Sequence, residues 1–140
     1  MFSFSHDIAY FSLEIGFEAD IPTYSGGLGI LAGDTLRAAA DIELPYVGVT
    51  LLYRGGYFKQ HLDERGTQTE HEQAWDPSTH LREMATRVTV PIEGRDVIVR
   101  AWRLDVRGVT GYIVPVYFLD TDVPGNDDDA RQITRRLYAG

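Results

Sequence analysis

Tyr24-Ser25-Gly26-Gly27-Leu28-Gly29 is the stretch whose reading decides the fold, because it opens a long apolar run at helical spacing. Leu28, Leu31, Ala32, Leu36, Ala39 and Ile42 recur at that spacing, with Asp34, Arg37 and Asp41 on another face, until Pro45 stops the helix. A glycine turn that hands straight over to a helix leaves unpaired N–H groups at the positive end of the helix dipole. Such an end holds a phosphate-like anion without any charged side chain. A packing reading competes, in which the glycines let the helix approach a strand closely. The pattern alone leaves both open.

Upstream, Ile8-Ala9-Tyr10-Phe11-Ser12-Leu13 is a nearly continuous apolar run, which predicts a strand buried on both faces. Downstream, Tyr46-Val47-Gly48-Val49-Thr50-Leu51-Leu52-Tyr53 is rich in β-branched residues and bounded by Arg54-Gly55-Gly56. Strand, glycine turn, helix and strand make a βαβ unit, with parallel strands and a right-handed connection. Glu14 follows the first strand directly, at the carboxyl end where α/β sheets place their ligands. A surface loop carboxylate is the competing reading. Asp34 reads as the surface partner of Arg37.

Residues 61–82 are polar and read as irregular, with Trp75-Asp76-Pro77 as their apolar anchor. Runs 87–92 and 97–102 flank Glu93-Gly94-Arg95-Asp96, a hairpin signal. A further strand over 112–119 carries Pro115, which predicts a broken ladder there. Asn126 with Asp127, Asp128 and Asp129 predicts a cap and an acidic first helical turn, with Arg135 and Arg136 near the other end. Few helices are predicted for these strands, and a parallel sheet needs both faces covered. The reading is therefore an incomplete α/β lobe with an antiparallel extension and further helices beyond Gly140.

Composition narrows the function. With 44% apolar and 24% charged residues in a chain of 140, this is ordinary globular material for one domain. A formal net charge of −8 argues against nucleic acid or an anionic membrane as the main partner. The absence of cysteine removes disulfides, thiolate metal sites and a Cys nucleophile. His6, His61, His71 and His80 show no metal spacing and read as loop histidines, so no metal site is expected. Asp63, Glu64, Glu70, Glu72 and Asp76 read as solvated rather than as a glycosidase pair. There is no Gly-x-Ser-x-Gly elbow. No basic leader and no run near ~20 apolar residues is present, so the cytoplasm is the expected location.

Three segments in register resemble the α-glucan phosphorylases, the glycogen and starch phosphorylase family. They are Ala9-Tyr10-Phe11-Ser12-Leu13-Glu14, then Ser25-Gly26-Gly27-Leu28-Gly29 with Leu31-Ala32, then Tyr53-Arg54-Gly55-Gly56-Tyr57-Phe58-Lys59-Gln60. The likeness continues through Trp75-Asp76-Pro77 and Pro115-Val116-Tyr117-Phe118-Leu119-Asp120. The resemblance implies a Rossmann-like first lobe of a two-lobed glycosyltransferase fold of the GT-B type, with residues 1–140 as the beginning of that lobe. It implies phosphorolysis of an α-1,4-glucan by inorganic phosphate to α-glucose 1-phosphate, with pyridoxal phosphate as cofactor. Gly26 and Gly27 match the turn that faces phosphate, Leu28 a backbone contact to the glucosyl unit, and Glu14 a carboxylate on the cofactor side. Gly16 stands where animal-type members carry an aromatic residue.

The Schiff-base lysine and the basic phosphate ligands belong to the family's second lobe. Lys59, the only lysine here, is not that residue, so no complete catalytic set is expected in this chain. Its implied partners are glucan, phosphate and the second lobe, with no nucleic acid or membrane; homo-oligomerisation of the full enzyme stays open. Two alternatives stand beside this reading. Glycogen or starch synthases share a Gly-Gly-Leu-Gly turn but place a lysine two residues before its first glycine, where this chain has Tyr24. The other is a non-catalytic module that binds an anion or a glucan.

Overall fold

The computed structural model describes residues 7–138. In chain order the elements are β1 (Ile8–Phe11), α1 (Gly27–Asp41), β2 (Tyr46–Leu51), β3 (Phe58–Leu62) and β4 (Gln68–Glu72). A short 3-10 turn (Pro77–Thr79), β5 (Arg82–Ile92), β6 (Arg95–Arg107), β7 (Ile113–Asp120) and α2 (Asp128–Gln132) follow. Five strands form one sheet in the order β1-β2-β7-β6-β5. β1, β2 and β7 are parallel, whereas β6 and β5 continue the sheet antiparallel. The fold is mixed α/β, with the expected parallel unit and antiparallel extension.

Pro115 does not break the ladder, although β7 is the central strand. The β2 register begins at Gly48 opposite Val116, one residue past Pro115. The proline therefore sits where β7 has no β2 partner, and pairs across from Asp105 of β6.

α1 covers one face of the sheet. Ala32, Leu36, Ala39 and Ala40 pack with Trp102 and Val106 of β6, Val114, Val116 and Phe118 of β7, and Ile15, Ile21 and Leu52. Phe118 is fully buried, so truncating it to alanine costs about 3–5 kcal/mol. The helix face differs from the one the spacing predicts. Leu28, Leu31 and Ile42 are exposed, while Gly29, Ala32, Gly33, Leu36, Ala39 and Ala40 face inward. The helix lies so close to the loop after β1 that only small residues fit between them.

The first strand is also corrected. β1 is an edge strand, and Phe11 is 74% exposed where burial on both faces is expected. α1 covers one side of the β1–β2 pair. On the other side Phe11, Leu13, Val49, Leu51 and Leu119 line a shallow apolar depression of about 230 Å³. α2 reaches that far face only near β6, where Ala130 packs on Val97 and Val99.

Residues 61–82 are not wholly irregular: β3 and β4 pair antiparallel as a separate hairpin. β4 reads Gln-Thr-Glu-His-Glu and is exposed at every position, so no apolar alternation marks it. The long hairpin of β5 and β6 turns at Glu93 and Gly94, both left-handed (φ 50° and 75°), as the turn chemistry predicts. Asp127, rather than Asn126, caps α2, accepting from the Ala130 amide at 2.8 Å. Asn126 instead ties the loop to β6, with 2.8 Å bonds to both the amide and the carbonyl of Ile98. Arg135 and Arg136 lie past the helix end and pair with Glu72 of β4.

Candidate functional site

The site forms where β1 and β2 end and α1 begins. Beyond β1 the Ser12 amide still bonds Val49 O at 3.1 Å. The Leu13 carbonyl accepts from Thr50 Oγ1 at 3.3 Å and from the Tyr53 hydroxyl at 2.7 Å. The Gly16 amide then bonds Gly29 O at 2.8 Å, and Thr23 Oγ1 bonds Ile15 O at 2.9 Å. These bonds fix the path of residues 13–16 and so the place of Glu14.

Glu14 is 3% exposed and turns its carboxylate onto the glycine turn. Its Oε2 accepts from the Ser25 amide at 2.6 Å and the Gly26 amide at 3.3 Å, with Ser25 Oγ at 3.5 Å. Its Oε1 accepts from the Tyr138 hydroxyl at 2.9 Å. Gly26 is the N-cap of α1 and has no side chain to satisfy it; Glu14 supplies the negative charge from another segment. Ile30 is the first amide to bond back into the helix, to Gly26 O at 3.3 Å. Helix geometry leaves the amides of Gly27, Leu28 and Gly29 with no acceptor inside the helix.

Two phenols border this carboxylate. The hydrogen bond to Glu14 holds the Tyr138 hydroxyl above its usual range, with burial and the Glu14 charge adding to the effect. Tyr53 is pushed up to about 12 by burial, then by the neighbouring Tyr138 and Glu14. Both stay protonated near neutrality.

The glycines divide into two kinds. A Cβ on Gly29 would lie 2.5 Å from Tyr24 Cβ, and one on Gly33 would lie 1.9 Å from Gly16 O. Those two are packing glycines. A Cβ on Gly26 or Gly27 would meet nothing within 4 Å, and neither residue is left-handed. The packing reading therefore accounts for Gly29 and Gly33, while at Gly26 and Gly27 no described atom comes close enough to demand a glycine. Leu28 is half exposed, beside that open approach.

A second cluster, which sequence reading missed, lies at the end of β7. Asp120 is fully buried, and its Oδ2 accepts from Arg54 at 3.0 Å, Arg100 at 2.8 Å and Trp102 Nε1 at 3.1 Å. Its Oδ1 accepts from the Asp122 amide at 2.9 Å. Burial alone would raise its pKa, but the bonds from Arg54, Arg100, Asp122 and Trp102 outweigh it and hold the carboxyl below the usual range. Both guanidinium groups also stack near the Trp102 ring, at 5.8 and 5.2 Å from its centre. The signal available was a lone aspartate ending an apolar strand, with arginines ending or crossing its neighbours.

The remaining candidates stand apart. Asp34 pairs with Arg37 at 3.8 Å, as expected, and Arg37 also bonds Phe17 O. Lys59 is exposed on β3, opposite His71. His6 lies outside the described residues. Among the described residues no three His, Asp or Glu side chains gather as metal ligands, and no helix is long and apolar enough to cross a membrane.

Residues 12–139 match the carbohydrate phosphorylase family. The chain is 45% identical over 139 residues to the glycogen phosphorylase of Mycobacterium tuberculosis, covering 95% of this chain and 16% of that protein. It is 41% identical over 138 residues to the maltodextrin phosphorylase of Thermococcus litoralis, covering 94% and 16%. It is 31% identical over 147 aligned positions to the glycogen phosphorylase of Aquifex aeolicus, covering 97% and 20%. The chain thus spans about a sixth of the length of the first two relatives. The match takes in Glu14, the glycine turn and the Tyr53–Gln60 segment, and since it spans most of the chain, the chain belongs to the carbohydrate phosphorylase family.

Proposed function

We propose that this chain forms the opening part of the first lobe of a two-lobed GT-B α-glucan phosphorylase. The observation that carries the reading is the open space over Gly26 and Gly27, at the amino end of a 15-residue helix. Nothing in the described chain requires glycine there, whereas an anion approaching the backbone closely does.

In the proposed reaction an oxygen of inorganic phosphate bonds to C1 of the terminal glucosyl unit. The bond from C1 to the chain oxygen breaks, and the shortened glucan leaves with the proton that the attacking hydrogen phosphate gives up. The part assigned to this chain is electrostatic. Pre-aimed amides at Gly27 and Leu28 face the phosphate charge, and the Leu28 backbone borders the glucosyl unit. Such donors stabilise charge without reorganising when the reaction occurs. The Tyr24 ring packs against Gly16 and Gly29, so no cation stands in the turn for a nucleotide diphosphate. That favours phosphorylase over synthase.

Pyridoxal phosphate finds no anchor among the described residues, since Lys59 is exposed on the separate hairpin. Its lysine is assigned to the second lobe. The 140-residue chain is accordingly proposed to be inactive alone.

The test is Gly27→Val in the complete enzyme, with a phosphate titration and the cofactor content read by absorbance. Turnover should fall on the order of 10²–10³, as when one donor to a developing charge is lost. Cofactor content should stay unchanged. Near-normal turnover and phosphate dependence would make the turn a mere chain reversal.

A further inference from the structure

The turn proposed to receive an anion already holds one. Glu14 Oε2 lies 2.6 Å from the Ser25 amide and 3.3 Å from the Gly26 amide, so the first two N–H groups of the turn are engaged. The same oxygen lies 3.1 Å from where a Cβ on Gly29 would stand, so it sits beneath the first helical turn. The carboxylate cannot swing outward freely, because Tyr138 holds its other oxygen at 2.9 Å. The path of residues 13–16 is pinned in turn by the bonds to the Leu13 carbonyl and the Gly16 amide.

We propose that Glu14 is the positioning residue of the glycine turn: its resident carboxylate takes the Ser25 and Gly26 amides and confines an incoming phosphate to those of Gly27 and Leu28. This rests on the reading of the turn as a phosphate site. The carboxylate acts in two ways. It denies two donors to the ligand, which sets where the phosphate sits. Its charge also repels the phosphate, which keeps the ligand weakly held and displaceable. Tyr138 belongs to the same device, since its hydroxyl sets the direction of the carboxylate.

The experiment follows backbone amide resonances of the full 140-residue chain during titration with inorganic phosphate. In the unaltered chain Gly27 and Leu28 should move and Ser25 and Gly26 should not. Glu14→Gln keeps the shape and removes the charge. Phosphate should then bind about three- to tenfold more tightly, the size expected for one like charge removed at a solvated site. Ser25 and Gly26 should join the shifting set. Without phosphate, the Ser25 amide proton should lose the downfield position that a short bond to a carboxylate imposes. Tyr138→Phe, which leaves the charge in place, should relax that Ser25 resonance part of the way.

Unchanged or weaker phosphate binding in Glu14→Gln would overturn the proposal, as would a Ser25 resonance indifferent to both substitutions. If no amide of the turn responds to phosphate in any variant, the phosphate reading itself fails. The Ser25 resonance then still reports whether Glu14 holds the turn.

Discussion

Gly33 rests directly on the carbonyl of Gly16: a Cβ built on Gly33 would lie 1.9 Å from Gly16 O, inside any permitted contact. Backbone meets backbone there, so neither side can yield by turning a rotamer. Gly33→Ala must push α1 off the loop after β1 and strain the bond from the Gly16 amide to Gly29 O. A loss of about 3 kcal/mol is expected. Gly27→Ala, which meets open space, should stay within about 0.5 kcal/mol of the unaltered chain. Urea unfolding of the two variants side by side checks this. Equal stabilities would remove the distinction between packing and approach glycines.

Asp120 should govern the acid limb of stability. Its carboxyl is held below the usual range in the folded chain, so the folded state binds that proton less readily than the unfolded one. The stabilisation is complete above the unfolded carboxyl pKa of about 3.9 and is lost as pH falls through the lowered folded value. Asp120→Asn leaves Arg54 and Arg100 without their shared buried partner, at a cost of about 3–5 kcal/mol at neutral pH. It should also flatten the acid limb. Unfolding midpoints measured from neutral pH downward test both parts, and a variant as acid-sensitive as its parent refutes the assignment.

Tyr53 makes the corresponding statement on the alkaline side. Its phenol, pushed up to about 12, keeps its proton more firmly in the folded chain than in the unfolded one. The contribution is full below about 10, the unfolded value, and is lost as pH rises through about 12. Tyr53→Phe should delete the slowest-titrating phenolate absorbance. It should also cost about 1 kcal/mol through the lost bond to Leu13 O. A titration in which every tyrosine ionises near 10 would contradict this.

The isolated 140-residue chain should form no glucose 1-phosphate from glycogen and phosphate. Acid–base chemistry needs a group within hydrogen-bond reach of the reacting oxygen, and the chain's only lysine stands on the outlying hairpin. A purified preparation that outproduces a mock control would overturn the assignment of the cofactor to the second lobe.

The parallel unit was legible because its signals are local: glycine before a helix, proline after it, β-branched residues on either side. The β5–β6 turn was legible for the same reason, since Glu93 and Gly94 adopt the left-handed angles their place in the pattern demands. What escaped was set at a distance. Burial of β1 depends on neighbours that sequence cannot count, and the inward face of α1 was decided by the touch of Gly33 on Gly16. β4 carries no apolar alternation, so nothing marked it as a strand. At the site, Glu14 and the first two glycines could be picked out by position, but Tyr138 lies 124 residues from Glu14 and no spacing announces it. Asp120 was quoted in a motif without its side-chain partners, which lie on two other segments, Arg54 after β2 and Arg100 with Trp102 on β6.

The central place of β7 bears on how the chain is made. β7 is the last strand of the sheet to leave the ribosome, yet it must settle between β2 and β6, both finished earlier. Until residue 113 emerges, the β1–β2 pair and the β5–β6 hairpin are two separate rafts with raw edges facing each other. Vectorial synthesis thus exposes unpaired strands for the whole span that separates Leu51 from Ile113, an opening for a chaperone or for misassociation. A nascent chain arrested just before β7 should be digested readily by protease, and one arrested after Asp120 should resist, because a single strand converts two rafts into one sheet.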